Sequence, residues 1–326
     1  MSPEAFAPFV ATLGRDPGRS RALTREEARD AFRMVLAGQV DPHQLGAFLM
    51  LLRYRGEDPD EVAGIVEAMQ ESLPEAPRAD LDWPSYGSGR TRTLPWFLLS
   101  ALALAQSGVR VLMHGTNELG SAMPVAEALA SLGLSPARDM GEAAEQLEQT
   151  GFAYLPIAAL APGVAGLLGL RRLFGLRSPV NTAARLLDPA RAPAGVDGVF
   201  HPAYLDVHLG VAERLGRCRL AVLKGGGGEA ERVPAKPGLV CLWDHRAGRA
   251  EIALPADPDA VAPAAEVTPG LLAAVWHGEI APPREIATIR ATIALGLTAL
   301  RRRDEPEAVA ADAPRIWRER CSLAAS

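Results

Sequence analysis

Apolar residues recur at helical spacing through the first 73 residues of the chain. They repeat every three or four positions in Leu45–Leu52 and again in Val62–Met69, a spacing typical of helices with one buried face. Side chains that can cap the free backbone N–H groups of a helix start precede three predicted helices: Thr24, Asp41 and Asp58. The pattern predicts a bundle of four helices over residues 1–73, followed by a proline-rich linker over residues 74–84.

Beyond residue 84, short apolar runs alternate with helical patterns. Runs of four or five mostly apolar residues are typical of buried strands and occur at Val109–Met113, Ala153–Ile157, Leu220–Leu223 and Leu239–Trp243. Helices are predicted at residues 95–106, 124–132 and 284–303. Such strands, separated by helices, indicate a mostly parallel sheet with helices on both faces. The expected fold class is therefore α/β, with the small helical bundle preceding a larger α/β domain over residues 85–326.

Charge and cysteine content exclude several classes of protein. A formal net charge of −5 argues against a uniformly basic nucleic-acid binder but leaves room for a local basic patch. Cys218, Cys241 and Cys321 are far apart, so we expect neither disulfides nor a zinc site, and a cytoplasmic location. The N-terminus lacks the basic start of a signal peptide. Residues 151–170 carry no charge, but prolines and glycines interrupt them, and we expect no membrane span.

A glycine-rich turn precedes the first predicted helix of the α/β region. Gly87 and Gly89 would let the backbone approach a ligand closely, and the N–H groups of a helix start attract anions. Arg90 and Arg92 would add charged donors suited to phosphate or carboxylate. The turn matches neither the dinucleotide-binding nor the P-loop pattern. An ordinary turn with solvated arginines remains the alternative.

The end of the predicted strand Val109–Met113 supplies a second group of candidates. His114 and Gly115 follow this strand, and Asn117 and Ser121 lie in the loop after them. Ligands bind at strand carboxyl ends in open α/β sheets, so His114 is a candidate proton donor or ligand contact. The alternative is a hydrogen-bonded histidine with a purely structural role.

Basic residues around a later glycine form a third group. Arg171, Arg172 and Arg177 lie close together in the sequence, and Asn181 follows Arg177 by four residues. If residues 177–181 are helical, the last two side chains share a face. This group is a candidate anion contact or, alternatively, a solvated basic surface.

Lys224 is followed by four glycines and then by acidic residues. The glycines could form a nest of N–H groups for an anion, although no P-loop continues the motif. Glu229 and Glu231 are weak candidates for metal ligands, because carboxylates after a turn are usually exposed. A flexible turn is the simpler interpretation.

Taken in order, these motifs resemble the class III glycosyltransferases, the family that includes anthranilate phosphoribosyltransferase. The resemblance is carried by DPHQLGAFLMLLRYRGEDPDEVAGIVEAM, RVLMHG, FGLRSPVNTAARLLDPA and VLKGGGGEAE. The variant motifs PSYGSGRTRTLPWFLL, VLMHGTNELGS and GVFHPAY are similar to the YbiB-like branch, whose members are paralogues implicated in binding DNA and RNA.

The resemblance also implies that several of the family's ligand-binding positions are altered. The glycine-rich cradle for phosphoribosyl pyrophosphate falls on residues 85–89 and contains Tyr86, and its lysine position is Met113. The paired magnesium carboxylates fall on Ala230 and Glu231, so one is absent, while the arginine that contacts anthranilate corresponds to Arg171. Transfer of a pyrophosphate-bearing sugar requires cationic donors and Mg²⁺. We therefore expect no cofactor, with magnesium only if transferase activity is retained.

The leading functional expectation is sequence-independent binding of DNA or RNA by a catalytically degenerate relative. The resemblance implies a homodimer through the helical domains, which would join two arginine patches. We expect the helices at residues 45–52 and 62–69 to bury an apolar face at this interface as well as within the bundle. The first alternative is an active phosphoribosyl transferase or phosphorylase with a non-anthranilate substrate, using His114, Arg171 and Asn181 on a small phosphate ligand. A third is a scaffold that binds only proteins.

Overall fold

Four α-helices form the N-terminal part of the chain, as the apolar pattern predicts. The computed structural model describes residues 3–16, 18–87, 93–116, 123–268, 270–300 and 306–321. The helices are α1 (Ala7–Gly14), α2 (Arg25–Leu36), α3 (Pro42–Arg55) and α4 (Pro59–Glu71). The predicted caps are confirmed, because the side-chain oxygens of Thr24, Asp41 and Asp58 each accept a backbone N–H group in the first turn of α2, α3 and α4, respectively.

A seven-stranded sheet forms the centre of the α/β part. Its strands are β1 (Leu81–Ser85), β2 (Val111–Gly115), β3 (Phe152–Pro156), β4 (Ala194–Val199), β5 (Arg219–Lys224), β6 (Gly238–Asp244) and β7 (Gly248–Leu254). Their order across the sheet is β3-β2-β1-β4-β5-β6-β7. The first five strands pair in parallel, and β6 and β7 add an antiparallel hairpin. The predicted mostly parallel α/β architecture is confirmed.

Three of these strands lie where the sequence pattern indicated none. Strand β1 begins at Leu81, so the linker expected over residues 74–84 ends four residues earlier. Pro84 in β1 and Asp197 in β4 interrupt the apolar runs that mark a buried strand, although both strands are buried along their whole length. Strand β7 alternates half-buried and exposed residues, as expected for the edge of a sheet.

Helices cover both faces of the sheet. They are α5 (Trp96–Gln106), α6 (Val125–Ser131), α7 (Met140–Thr150), α8 (Ile157–Leu160), α9 (Pro162–Gly169), α10 (Arg171–Phe174), α11 (Val180–Arg185), α12 (Tyr204–Arg214), α13 (Leu271–His277), α14 (Pro283–Leu300) and α15 (Pro306–Glu319). Successive strand residues supply two separate cores: Leu112 packs on the side of the N-terminal helices, whereas Val111 and Met113 pack on the side of α5 and α14. No helix among the described residues is long and apolar enough to cross a membrane.

The helical part of the molecule is built from two separate stretches of the chain. Helix α11 packs against α4, and α9 packs against α11, so residues from the middle of the chain join the N-terminal helices. The sequence boundary expected at residue 73 does not include this second stretch. As a result, residues 171–185 lie next to the carboxyl ends of strands β4 and β5.

Helix α4 buries its apolar positions within a single chain. Val62, Ile65, Val66 and Met69 are fully buried, and α2 lies so close that a Cβ at Gly64 would be 2.2 Å from the backbone oxygen of Arg25. This face therefore has no apolar surface left for a second copy, and its assignment to a dimer interface is corrected. The homodimer itself stays a prediction.

Candidate functional site

A cleft with a volume of about 430 Å³ lies at the carboxyl ends of strands β4 and β5. Its walls come from the end of β4, the glycine turn after β5, α11 with the loop before it, and the first turns of α12. Four arginines line it: Arg53, Arg171, Arg177 and Arg185. Because open α/β sheets bind ligands at this edge, the cleft is the principal candidate site.

Positive charge in the cleft exceeds the negative charge that could balance it. Among the described residues, no carboxylate lies within 4 Å of the guanidinium groups of Arg171 or Arg177. Burial, followed by the neighbouring charges of Arg171 and Arg185, lowers the pKa of Arg177. Arg185 donates to the backbone oxygens of Gly198 and Gly228 at 3.1 and 2.9 Å. Like charges held together in this way favour binding of an anion.

A second cavity, of about 270 Å³, adjoins the arginines of α10. Arg171 lines both cavities, and Arg172 lines the second one only. The second cavity is otherwise mostly apolar, with Ile157, Ala165 and Leu168 among its walls. Arg172 is exposed, and in the described part of the chain it too has no carboxylate within 4 Å. The predicted basic group thus extends from the cleft to the open surface.

Asn181 and Lys224 are placed differently from the sequence expectation. Helix α11 begins at Val180, so Arg177 precedes it, and the expected shared helical face is wrong. Asn181 nevertheless lines the cleft, where its side-chain oxygen accepts the Ser178 N–H at 3.2 Å. Lys224 is exposed at the end of β5 and does not line the cleft, whose wall contains Gly227 and Gly228 from the turn that follows.

His114 is a structural residue rather than a ligand contact. It is fully buried; its Nδ1 lies 2.9 Å from the Tyr86 hydroxyl and its Nε2 lies 3.2 Å from an Asp82 oxygen. Of the two alternatives for His114, the hydrogen-bonded structural residue agrees with this burial and these contacts, and a proton donor exposed at the strand end does not. Gly115 is required for packing, since a Cβ there would lie 1.9 Å from the Ser85 oxygen.

Two buried glutamates occupy backbone N–H groups at the glycine-rich turn. Glu229 accepts the N–H of Gly87, and Glu231 accepts the N–H of Phe97 at 3.0 Å, in the first turn of α5. Both are almost completely buried, which contradicts the expectation of exposed carboxylates. Backbone N–H groups at such a helix start are anion-binding positions. In this chain, the Phe97 N–H at the start of α5 and the Gly87 N–H of the glycine-rich turn both bind the protein's own carboxylates.

The same contacts bear on magnesium, which the family resemblance implies. Glu231 is engaged with α5, Ala230 has no ligand atom in its side chain, and the described residues contain no cluster of three metal-ligating side chains. Mg²⁺ requires several hard oxygen ligands in near-octahedral positions. The described residues do not fit this ion.

Five of the residues predicted from sequence to contact an anion lie outside the described residues: Gly89, Arg90, Arg92, Asn117 and Ser121.

One buried pair at the cleft was not among the sequence candidates. His208 in α12 holds its Nδ1 2.6 Å from Asp197 in β4, and the His208 ring lines the cleft. Asp197 also accepts the Gly198 N–H at 2.7 Å and lies 3.7 Å from Arg185. The pair had no motif to reveal it, because a strand aspartate and a helix histidine meet only through the fold.

Comparison with known proteins identifies the family. Residues 13–73 match the model of the glycosyl transferase family, helical bundle domain, and residues 81–257, more than half of the chain, match that of the glycosyl transferase family, a/b domain. The anthranilate phosphoribosyltransferase of Methylobacterium nodulans is 31% identical over 302 residues, covering 90% of this chain and 88% of the relative. The chain belongs to this glycosyl transferase family. Anthranilate phosphoribosyltransferase 2 of Streptomyces coelicolor, another relative, is 32% identical over 84% of this chain and 85% of its own.

Solved structures of glycosyl transferase family relatives share the fold. Anthranilate phosphoribosyltransferase from Thermus thermophilus superposes with a TM-score of 0.75 at 24% identity, covering 96% of this chain and 94% of the other. The Saccharomyces cerevisiae enzyme in complex with 4-fluoroanthranilate also gives a TM-score of 0.75, at 15% identity, covering 97% and 94%. At these identities the comparison establishes the arrangement of a helical part and an α/β part.

Proposed function

We propose that this member of the family binds nucleic acid without sequence preference, and that its phosphoribosyl pyrophosphate and magnesium sites are degenerate. The observation that carries the proposal is the group of three arginines without carboxylate partners among the described residues: Arg171, Arg172 and Arg177. Guanidinium groups at a concave surface suit phosphate, and contacts to phosphates carry no sequence information. A local basic surface of this kind is compatible with a net charge of −5.

An exposed aromatic side chain in the cleft wall supports the same proposal. Phe200 is 52% exposed there, beside the arginines that line the same cleft. Proteins that bind single strands combine basic grooves with aromatic rings on which bases stack irrespective of their identity. Arg90 and Arg92 lie outside the described residues, and their contact with nucleic acid stays a prediction.

The positions of Glu229 and Glu231 support a degenerate substrate site. The backbone N–H groups of Gly87 and Phe97, which an anion at the glycine-rich turn or the start of α5 could otherwise use, are already hydrogen-bonded to buried carboxylates. Those carboxylates would also repel an incoming anion. We infer that the anion-binding role has moved from the glycine-rich turn to the arginines of the cleft.

Direct titration tests the proposed function. Fluorescence anisotropy with labelled single- and double-stranded DNA of unrelated sequences should give saturable binding of similar affinity for each sequence. Counterion release predicts that the logarithm of the association constant falls with the logarithm of salt concentration, with a slope of about −0.9 per duplex phosphate contact and about −0.7 on single strands. Binding no tighter than that of a mononucleotide, at two salt concentrations, would contradict the proposal.

The relatives' names favour a second candidate function, an active phosphoribosyl transferase. An assay of product formation distinguishes this candidate from the degenerate binding protein proposed above. Purified protein supplied with phosphoribosyl pyrophosphate, anthranilate and Mg²⁺ should form no phosphoribosyl-anthranilate above a control without enzyme, followed by fluorescence. The reason is that Glu229 and Glu231 block the donors that would hold the pyrophosphate, and no lysine stands at Met113. Turnover above the control would favour the transferase; parallel assays with other acceptor bases would cover a non-anthranilate substrate.

A further inference from the structure

The Asp197–His208 pair adds to the cleft a side chain that can either donate or accept a hydrogen bond, which the surrounding arginines cannot do. We call the part of the cleft formed by Arg177, His208 and Asp197 the cleft floor. Both side chains are almost completely buried, and the hydrogen bond between Nδ1 and the Asp197 oxygen fixes the plane of the His208 ring. No described residue is hydrogen-bonded to Nε2 of His208, and the ring lines the cleft. A histidine held in this way presents Nε2 to whatever occupies the cleft, as a donor when protonated and as an acceptor when neutral.

The charges around this floor favour a doubly charged anion. Arg177 is half-buried and lacks a carboxylate within 4 Å among the described residues, and Arg171 lies on the same cleft. Glu57 also lines the cleft, where burial raises the pKa of its carboxyl group, and Arg53 and Arg185 add two further positive charges to the same walls. Two arginine side chains and a histidine supply more positive charge and more hydrogen-bonding groups than one internal phosphodiester needs, because a phosphodiester carries a single negative charge.

A phosphate monoester differs from a diester in the two properties that this floor can recognise. It carries a charge between about −1.5 and −2 near neutral pH, because its second pKa is about 6. It can also hold a proton on a terminal oxygen, which can be shared with a histidine nitrogen. In a nucleic acid, monoesters occur only at strand ends, and a concave cleft of about 430 Å³ can admit an end.

We propose that the cleft floor is a pocket for a terminal phosphate monoester, in which Arg177 binds the phosphate oxygens and His208, positioned by Asp197, contacts one of them. This inference rests on the proposed function and narrows it: sequence-independent binding along a strand is combined with recognition of phosphorylated ends. Phe200, at the rim, is placed to stack on the terminal base.

The test uses the full chain and two labelled single-stranded oligothymidines that differ only in a 5′-phosphate or a 5′-hydroxyl group. Anisotropy titrations should give about tenfold tighter binding of the phosphorylated strand, the gain expected from added charge-assisted hydrogen bonds. His208→Leu should lose most of this advantage, so the ratio of the two affinities should fall from about ten toward one whatever the change in binding of the hydroxyl strand. His208→Gln, which keeps a polar group, should retain part of it.

His245→Leu is the matched control, because His245 is exposed at the turn between β6 and β7 and does not line the cleft. Equal affinity of the wild-type protein for the two strands, or an undiminished advantage in folded His208→Leu, would overturn the inference. If His208→Leu does not fold, Arg177→Met replaces it: this variant should weaken binding of both strands and should also lose most of the affinity ratio between them. If neither strand binds, the proposed function has failed; calorimetry with thymidine monophosphate against thymidine then decides the pocket separately.

Discussion

Reversing the charge of Arg171, Arg172 and Arg177 together should weaken DNA binding at least about a hundredfold. Each arginine is available for phosphate because no carboxylate lies within 4 Å among the described residues. Hydrogen bonds to charged groups contribute about 1.5–3 kcal/mol each, and a glutamate adds repulsion to the loss. The slope of log K against log salt on duplex DNA should become shallower by about 0.9 for each phosphate contact removed.

A variant with the same change in net charge separates this local effect from a general one. Arg15→Glu, Arg246→Glu and Arg318→Glu change three exposed arginines that line neither cavity. This control should bind DNA within a fewfold of wild type and keep most of the salt slope. Wild-type affinity and slope in a folded Arg171/Arg172/Arg177 variant would contradict the placement of the nucleic-acid surface.

The features that could be predicted from sequence are those determined locally. The starts of α2, α3 and α4 were predictable because a cap depends only on residues within one turn of it. Strands β2 and β3 were predictable because their apolar runs are continuous. Strand β1 was not, because Pro84 breaks its pattern, and its burial results from β2 and β4 on either side. Tertiary neighbours, rather than local preference, determine such a strand.

In the candidate site too, some features follow from local sequence and others only from tertiary contacts. The arginines at residues 171–177 were predictable because a cluster in sequence stays a cluster in space. The choice between a ligand contact and a structural histidine at His114 could not be made from sequence, because its partners are Asp82 in the neighbouring strand β1 and Tyr86 directly after that strand. Asp197 and His208 likewise meet only when α12 packs against the sheet, over β5, the neighbour of β4. Sequence therefore indicates where charge accumulates, whereas the fold determines which buried groups are already paired.

The second prediction concerns a network of buried charged side chains near the amino ends of strands β1 and β4. Arg217 lies between Asp82, at 3.0 Å, and Asp188, at 3.3 Å, and Gly195 leaves the space that its guanidinium fills. All three charged side chains are more than nine-tenths buried. Arg217→Met should therefore reduce the free energy of unfolding by about 3–5 kcal/mol, because it leaves two buried carboxylates without their cation. Urea denaturation at pH 7 measures the loss.

The pH dependence of that loss identifies its cause. Burial raises the pKa of Asp188 to about 6, above its ordinary value of 3.8, although Arg217 acts in the opposite direction. A carboxyl group whose pKa is higher in the folded state favours folding when protonated, so its contribution is lost as pH rises from about 4 to about 6. Without Arg217 the pKa rises further, and the decline should continue to higher pH.

Charge repulsion and lost packing can be separated with one more variant. Arg217→Met combined with Asp82→Asn and Asp188→Asn removes the uncompensated charges but keeps the altered side chain at residue 217. If charge is the cause, this triple variant should be more stable than Arg217→Met alone, and its unfolding free energy should vary less between pH 5 and pH 8. If Arg217→Met loses the same stability at pH 5 and at pH 8, and the triple variant recovers none of it, the arginine stabilises the fold through packing rather than through its charge.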